Sequence, residues 1–175
     1  MIQVAHTADV DPATLRAARA LLERVFEGDF EDSDWEHSLG GMHALAWEGD
    51  ELVGHASLIQ RRLLHRGRAL RAGYVEGVGV RADRQRRGHA AAMMEALERL
   101  IRAAYDLGAL GASDDGARLY EARGWQRWPG PTSAITPEGV IRTAEEDGCI
   151  YVLPGASELD LGRELTCDWR DGDVW

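Results

Sequence analysis

Lysine is absent from this sequence: all twenty basic residues are arginine. Codon bias accounts for such a replacement as simply as function does. Cysteine is scarce, and Cys149 and Cys167 lack the spacing of a zinc site, so neither a metal centre nor a disulfide framework is implied. No apolar run is long enough to cross a bilayer, and Met1-Ile2-Gln3-Val4 lacks the basic and apolar regions of a signal peptide, which leads us to expect a cytoplasmic protein with no membrane partner. Positive charge is outnumbered: thirty acidic residues leave a net charge of −10. Such a chain has no electrostatic footprint for nucleic acid, and a ligand drawn by charge would be cationic. No repeat, low-complexity tract or linker divides it. At 175 residues and 45% apolar content it can bury one sizeable core, so a single domain over 1–175 is expected.

The charge that is present is unevenly placed. Glu27, Asp29, Glu31, Asp32, Asp34 and Glu36 form an acidic run without a base, Glu145-Glu146-Asp147 forms another, and Arg81, Arg84, Arg86 and Arg87 gather around a glycine. Acidic runs of this kind also cap helices and solvate loops. Taken together with the arginines they suggest a bipartite cleft, one lobe for phosphates and one for cations.

Asp11-Pro12 reads as a cap and a first-turn proline, and Leu15, Ala18, Leu22, Val25 and Phe26 follow at helical spacing. Ser33 and Glu36 have capping-box spacing for a short second helix ended by Gly40-Gly41. Met42 to Trp47 and Leu52 to Arg62 read as strands joined by a Glu48-Gly49-Asp50 turn, and Arg66-Gly67 makes a second turn. Tyr74 to Val80 reads as a central strand, Gly88 to Ala104 as a long helix, Leu107 to Ala112 as a strand and Asp114 to Arg123 as a helix, with further strand around Ser133 to Thr136 and Cys149 to Leu153. A meander followed by a right-handed crossover predicts an α/β layer built on a mixed sheet.

The run from Val78 through Arg87-Gly88-His89-Ala90 carries a strand through an Arg-rich turn into a helix. Free amides and the macrodipole at such a helix start suit a pyrophosphate, and Gly88 lets oxygens approach the backbone. Read alone, one glycine between arginines is more often a solvated helix start than a phosphate site, and its spacing is not that of a Walker loop or a dinucleotide fingerprint.

Gln85-x-x-Gly88-x-Ala90 resembles the Q/R-x-x-G-x-G/A signature with which GNAT acetyltransferases bind the pyrophosphate of coenzyme A, and Leu119-Tyr120-Glu121-Ala122-Arg123-Gly124-Trp125 resembles the L-Y-x-x-x-G-F element of that superfamily. The resemblance extends to aminoglycoside 2′-N-acetyltransferases. It is carried by Gly28-Asp29-Phe30, Asp34-Trp35-Glu36-His37, Leu39 to Leu45, Gln60-Arg61-Arg62-Leu63, Tyr74 to Val78, Gly130 to Ser133 and the ending Cys167 to Trp175. The start at Asp114-Asp115-Gly116 and the loop around Gly111 depart from the pattern. The resemblance implies a GNAT fold, α/β in the α+β sense, with a mixed, mostly antiparallel central sheet flanked by helices. It also implies acetyl-CoA as acetyl donor, an aminoglycoside as acceptor and a homodimer.

An amine attacks a thioester only when deprotonated, so a base is needed. Glu76, on the central strand beside the expected coenzyme, is the candidate, directly or through a water; otherwise it is a carboxylate facing solvent. By resemblance, Tyr120 is the general acid for the departing thiolate, its alternative role being to pack a helix on the sheet. Gln85, Arg86, Arg87, Gly88, His89 and Ala90 would hold the pyrophosphate. Val78 and Val80 would pair with the pantetheine arm, the Val78 amide polarising the thioester carbonyl, and Gly77 and Gly79 would ease the approach. Asp29, Asp34, Glu76, Gly77, Glu146, Asp173 and the terminal carboxylate of Trp175 would line the acceptor site, with the Trp175 ring against a sugar face. The other histidines are scattered, and neither cysteine has the setting of a covalent carrier, so direct transfer in a ternary complex is expected. Two other readings stay open: acetylation of protein or peptide amines or another amino sugar, and a silent module that binds cationic sugars or acyl-CoA.

Overall fold

Asp11 starts the first helix as its spacing predicts. In the computed structural model, which describes every residue except Ser113, Ala156 and Ser157 and, of Asp114 and Asp115, the backbone alone, its carboxylate accepts from the amides of Ala13 and Thr14 at the head of α1 (Pro12–Val25). The second helix, α2 (Asp32–His37), begins earlier than the Ser33/Glu36 spacing suggests. Asp34 takes the backbone N–H of Glu31 at 2.8 Å, so the reciprocal cap lies two residues upstream.

Strands β1 (Ile2–His6), β2 (Met42–Glu48), β3 (Glu51–His65) and β4 (Arg68–Val80) precede helix α3 (His89–Ala104). Strand β5 (Leu107–Gly111), helix α4 (Asp114–Glu121) and strands β6 (Gln126–Arg127), β7 (Thr132–Thr136), β8 (Gly139–Arg142), β9 (Ile150–Pro154) and β10 (Leu165–Cys167) follow. The sheet order is β6-β9-β5-β4-β3-β10-β7-β8, with β2 on β3 and β1 on β2. Among the pairings described, β4–β5 and β10–β7 are parallel and the others antiparallel, so the sheet is mixed and mostly antiparallel, as expected. Strand β4 starts six residues before Tyr74, at Arg68, because Arg66 and Gly67 both adopt positive φ (51° and 75°) in a tight hairpin turn. Strands β1, β6, β8 and β10 are not anticipated by the hydrophobic pattern, and Cys149 stands just before β9 rather than inside it.

Two compact units divide the chain: Met1–Ile59 with Val75–Leu100, and Gln60–Tyr74 with Ile101–Trp175. In the first, β2 and β3 form a hairpin whose register breaks. Met42↔Leu58 through Ala46↔Gly54 keep one register and Trp47↔Leu52 and Glu48↔Glu51 another, which leaves Val53 as an inserted residue on β3. The Val53 carbonyl accepts instead from the Arg81 amide at 3.0 Å. Leu45 shares an apolar cluster with Val10 and Ala18, against which Leu15, Trp35, Trp47 and Leu52 pack. Chain crossings here are close: a Cβ on Gly41 would lie 2.1 Å from the Leu58 carbonyl oxygen.

The second unit has its core around Tyr74, Leu107, Trp128, Ile150, Leu165 and Trp175. Arg61 clasps the tail to β3. Its guanidinium, 4% exposed, donates to the Asp168 carboxylate (2.8 Å) and to the carbonyls of Asp168 (3.0 Å) and Val174 (2.7 Å), and it lies 4.7 Å over the Tyr74 ring. Gln60 to Leu63 and Cys167 to Trp175, far apart in the chain, are therefore one structural feature.

Gly41→Ala should cost about 2–3 kcal/mol, because a methyl group would be driven onto a backbone carbonyl that cannot swing aside. A lowered urea midpoint at unchanged m-value checks this; wild-type stability would mean that the crossing is looser than described.

Candidate active site

In the first unit, β4 runs out at Val80 into a short turn over Ala82–Arg84 and then into α3. Gln85 donates its side-chain N–H to the Val80 carbonyl at 3.3 Å, and Arg86 and Gly88 both take positive φ (59° and 86°). The Gly88 carbonyl receives the Ala92 amide, which makes Gly88 the helix cap and leaves the amides of His89, Ala90 and Ala91 without intrahelical acceptors. A Cβ built on Gly88 would meet nothing within 4 Å, so the space directly over this residue is open. The surrounding bases are not all free. Glu48 takes His89 at 2.7 Å, Arg84 at 3.0 Å and Arg87 at 3.6 Å, and the His89 hydrogen bond together with the two arginines holds its carboxyl below the usual range. Arg81 and Arg84 both reach Asp83, whereas Arg86 forms no ion pair among the described residues.

Glu76 is partly exposed on β4, and its carbonyl accepts from the Ser57 hydroxyl at 3.3 Å. Gly77 has φ +53, which interrupts the alternation that would otherwise set Tyr74, Glu76 and Val78 on one face. Val78 is partly exposed and Val80 buried. The glycines here make room for protein: a Cβ on Gly77 would fall 2.8 Å from Ser38 Oγ, and one on Gly79 2.8 Å from Leu22 Cδ2. Their smallness admits side chains of the α1 and α2 region, which differs from the expectation that it clears a path for the coenzyme. Of the predicted acidic residues in this unit, Asp29 is exposed and Asp34 is engaged in capping α2.

One feature of this unit is not apparent in the chain's scattered histidines. Thr7 Oγ1 lies 2.8 Å from His43 Nε2, His43 Nδ1 lies 2.9 Å from His55 Nε2, and His55 Nδ1 lies 2.8 Å from the Gly77 carbonyl oxygen. Burial pushes both rings down to about 4, with His6 adding to the effect at His43, while the Gly77 hydrogen bond partly opposes it at His55.

In the second unit, Tyr120 is 6% exposed and packs against Trp125 and Tyr151, with ring centroids 6.1 and 6.4 Å away. Burial pushes its hydroxyl up to about 12, so it stays protonated at neutral pH. Glu146 is half-buried, and burial, then Asp173, then Glu145 raise its carboxyl above the ordinary value, which brings two of the predicted acceptor residues together. Asp173 is exposed and accepts the Trp175 amide at 3.0 Å. The Trp175 ring is 4% exposed, with its Nε1–H on Thr143 Oγ1 at 2.9 Å, so the indole belongs to the core and is not available to stack on a sugar. What Trp175 presents is its main-chain oxygen, which accepts from Arg170. Burial pushes the Cys167 thiol up to about 11, the opposite of a reactive nucleophile. The side chains of Asp114 and Asp115 lie outside the described residues.

The family described as acetyltransferase (GNAT) domain matches residues 7–128, which run from before α1 through β6 and include the turn before Gly88. An aminoglycoside 2′-N-acetyltransferase of Mycolicibacterium fortuitum is 52% identical over 177 aligned positions, 99% of this chain and 91% of that one. The chain belongs to the aminoglycoside 2′-N-acetyltransferase family of GNAT acetyltransferases. Solved structures agree with this acetyltransferase in fold. Eis1 from Mycobacterium abscessus superposes with a TM-score of 0.62 at 20% identity, over 76% of this chain but only 33% of its own length. Escherichia coli ElaA gives 0.60 at 20% identity, over 87% of this chain and 98% of its own. The chain thus spans about a third of the first structure and nearly all of the second, and at these identities the likeness concerns the fold alone.

The buried histidine pair makes the stability of this GNAT acetyltransferase depend on pH. In the unfolded chain the rings take up protons near 6.5, whereas the folded protein refuses them until about 4. The unfolded state therefore binds more protons in that window, and stability falls as pH drops through it, by up to about 1.4 kcal/mol per pH unit for each ring. Urea midpoints at pH 7, 5.5 and 4.5 should decline in that order. The double variant His43→Gln/His55→Gln should flatten the decline, and an equal slope in both proteins would contradict the assignment.

Proposed function

We propose that this chain transfers the acetyl group of acetyl-CoA to the 2′-amino group of aminoglycosides in a ternary complex, its 175 residues working as one catalytic domain. The observation that carries the reading is the near full-length relation to a 2′-N-acetyltransferase, which takes in the turn before Gly88 and the acidic tail alike. The open helix start supports the coenzyme site: the amides from His89 onward and the side chains of Gln85, Arg86, Arg87 and His89 receive the pyrophosphate, with Gly88 and Ala90 keeping the ground clear. Val78 and Val80 pair with the pantetheine arm as a neighbouring strand would. When bound, the coenzyme supplies the acetyl group as an activated thioester.

The residues of the chain do the rest. Glu76 accepts the proton of the acceptor ammonium, directly or through a water, and so frees a nucleophilic amine. The Val78 N–H donates to the acyl oxygen as negative charge gathers there. Tyr120, protonated at neutral pH, holds a proton for the leaving sulfur. Asp29, Asp34, Gly77, Glu146, Asp173 and the Trp175 main-chain oxygen form the acceptor side. The raised carboxyl of Glu146 supports that role, since a cation placed beside Glu146 and Asp173 relieves the repulsion between them. Among the described residues no helix is long and apolar enough to cross a membrane; we take the setting to be cytoplasmic and the assembly, as the resemblance implies, a homodimer.

The test is incubation with acetyl-CoA and aminoglycosides that have or lack a 2′-amine, following free thiol and locating the acetyl group by NMR. Acetyl on the 2′-nitrogen, and no turnover without that amine, is expected. Acetylation of peptides alone would favour a protein acetyltransferase, and binding without turnover a silent module. Glu76→Gln should lower kcat by about 100-fold while leaving coenzyme Kd unchanged, and Tyr120→Phe should lower it less. Unchanged kinetics in both variants would remove the role assignment.

A further inference from the structure

Hydrogen bonds around the buried histidine pair run in a single direction. A carbonyl oxygen can only accept, so the 2.8 Å contact at Gly77 requires His55 Nδ1 to carry the proton. Burial keeps the ring neutral, which leaves His55 Nε2 a bare lone pair and makes His43 Nδ1 the donor across 2.9 Å. The same reasoning bares His43 Nε2 and gives the single Thr7 hydroxyl proton to it across 2.8 Å in preference to the Gly41 carbonyl at 3.2 Å, while Thr7 Oγ1 itself accepts the Gly40 amide at 2.9 Å. Every donor in the series Gly40, Thr7, His43 and His55 points toward Gly77. Such a chain polarises each successive member, so its last bond is stronger than an isolated one.

Its end point is one half of a peptide group. The peptide bonds described are all trans, so the Gly77 carbonyl and the Val78 amide lie in one plane and point to opposite sides. Fixing the carbonyl on His55 therefore fixes the direction of the Val78 N–H, and drawing electron density toward the carbonyl oxygen makes that N–H a better donor. Gly77 at φ +53, with a Cβ excluded by Ser38 Oγ, shows that the backbone is held in an unusual conformation at this residue.

We infer that His55, set by His43 and Thr7, is a positioning residue for acetyl transfer: it orients and polarises the Gly77–Val78 peptide so that the Val78 amide meets the acyl oxygen. The inference rests on the reading of Val78 as that oxygen's donor. It predicts a loss in kcat with little change in KM, because the amide is used most when charge develops.

The experiment compares His55→Leu, which removes the donor, with His55→Asn, whose side-chain N–H₂ can replace Nδ1–H. Each is measured for kcat and both KM values with acetyl-CoA and an aminoglycoside, and the Val78 amide is followed by NMR in 15N-labelled enzyme. His55→Leu should lose about 10- to 100-fold in kcat with both KM values nearly unchanged and a moved Val78 amide resonance, and His55→Asn should recover most of the loss. An unmoved Val78 amide overturns the inference by faulting the histidine chain. A moved amide with unchanged kcat overturns it by faulting Val78 as the donor. Equal loss in both variants also overturns it, since a structural role would not spare asparagine. Should His55→Leu fail to fold, the ring 15N spectrum of the wild-type enzyme decides: protons on Nδ1 of both His55 and His43 are required, and an Nε2–H form of His55 refutes the proposal.

Discussion

A peptide group cannot turn one of its faces without turning the other, and in this acetyltransferase that constraint links a buried side chain to the expected reaction centre. Gly77 takes a left-handed conformation, its carbonyl is received by His55, and the amide of Val78 is committed to the opposite side. The fold around the peptide serves that commitment. Leu22 and Ser38 occupy the space where side chains of Gly79 and Gly77 would be, so helix α1 and the end of α2 press directly on the strand. Replacing either glycine would set the strand against these neighbours, and the peptide is held by exclusion as well as by hydrogen bonding.

The tail is organised on a different principle. Arg61, nearly sealed from solvent, has its charge answered by Asp168 and its planar face by Tyr74, while Nη2 reaches two carbonyls near the end of the chain and Nη1 is buried without a hydrogen-bond partner among the described residues. A buried guanidinium with this many partners is costly to disturb, because removing one partner leaves charge without compensation. Asp173 of the tail is exposed and Glu146 half-buried, and burial together with the charge of Asp173 raises the Glu146 carboxyl.

Much of this architecture was legible. The Asp11-Pro12 cap, the Arg66-Gly67 turn and the strand–turn–helix passage through Gly88 each follow from local chemistry that tertiary structure does not override. The short strands β1, β6, β8 and β10 were missed because two to five residues carry too little periodicity to register. The position of Glu76 on β4 was read correctly, but the facing argument was weakened by the left-handed Gly77 that follows it. Resemblance of the tail sets Trp175 at the acceptor with its ring on a sugar face, whereas packing takes the ring inward and leaves only backbone. The histidine pair was missed for a geometric reason. Counting outward symmetrically from the Gly49-Asp50 turn sets His43 opposite Ala56, and so on the other face of the hairpin from His55. The inserted Val53 shifts the pairing to His43↔Ser57 and Leu45↔His55, which turns both rings to one side.

That inserted residue changes how this hairpin tolerates mutation. Substitutions between Gly54 and Leu58 are tested one side chain at a time, but losing a single residue from the bulge would invert the whole stretch, sending His55 and Ser57 outward and their neighbours inward. Indels in this strand should therefore be far rarer among functioning relatives than exchanges of residue type. A chain shortened here would keep its composition and most of its pairing, yet lose the means of holding Gly77.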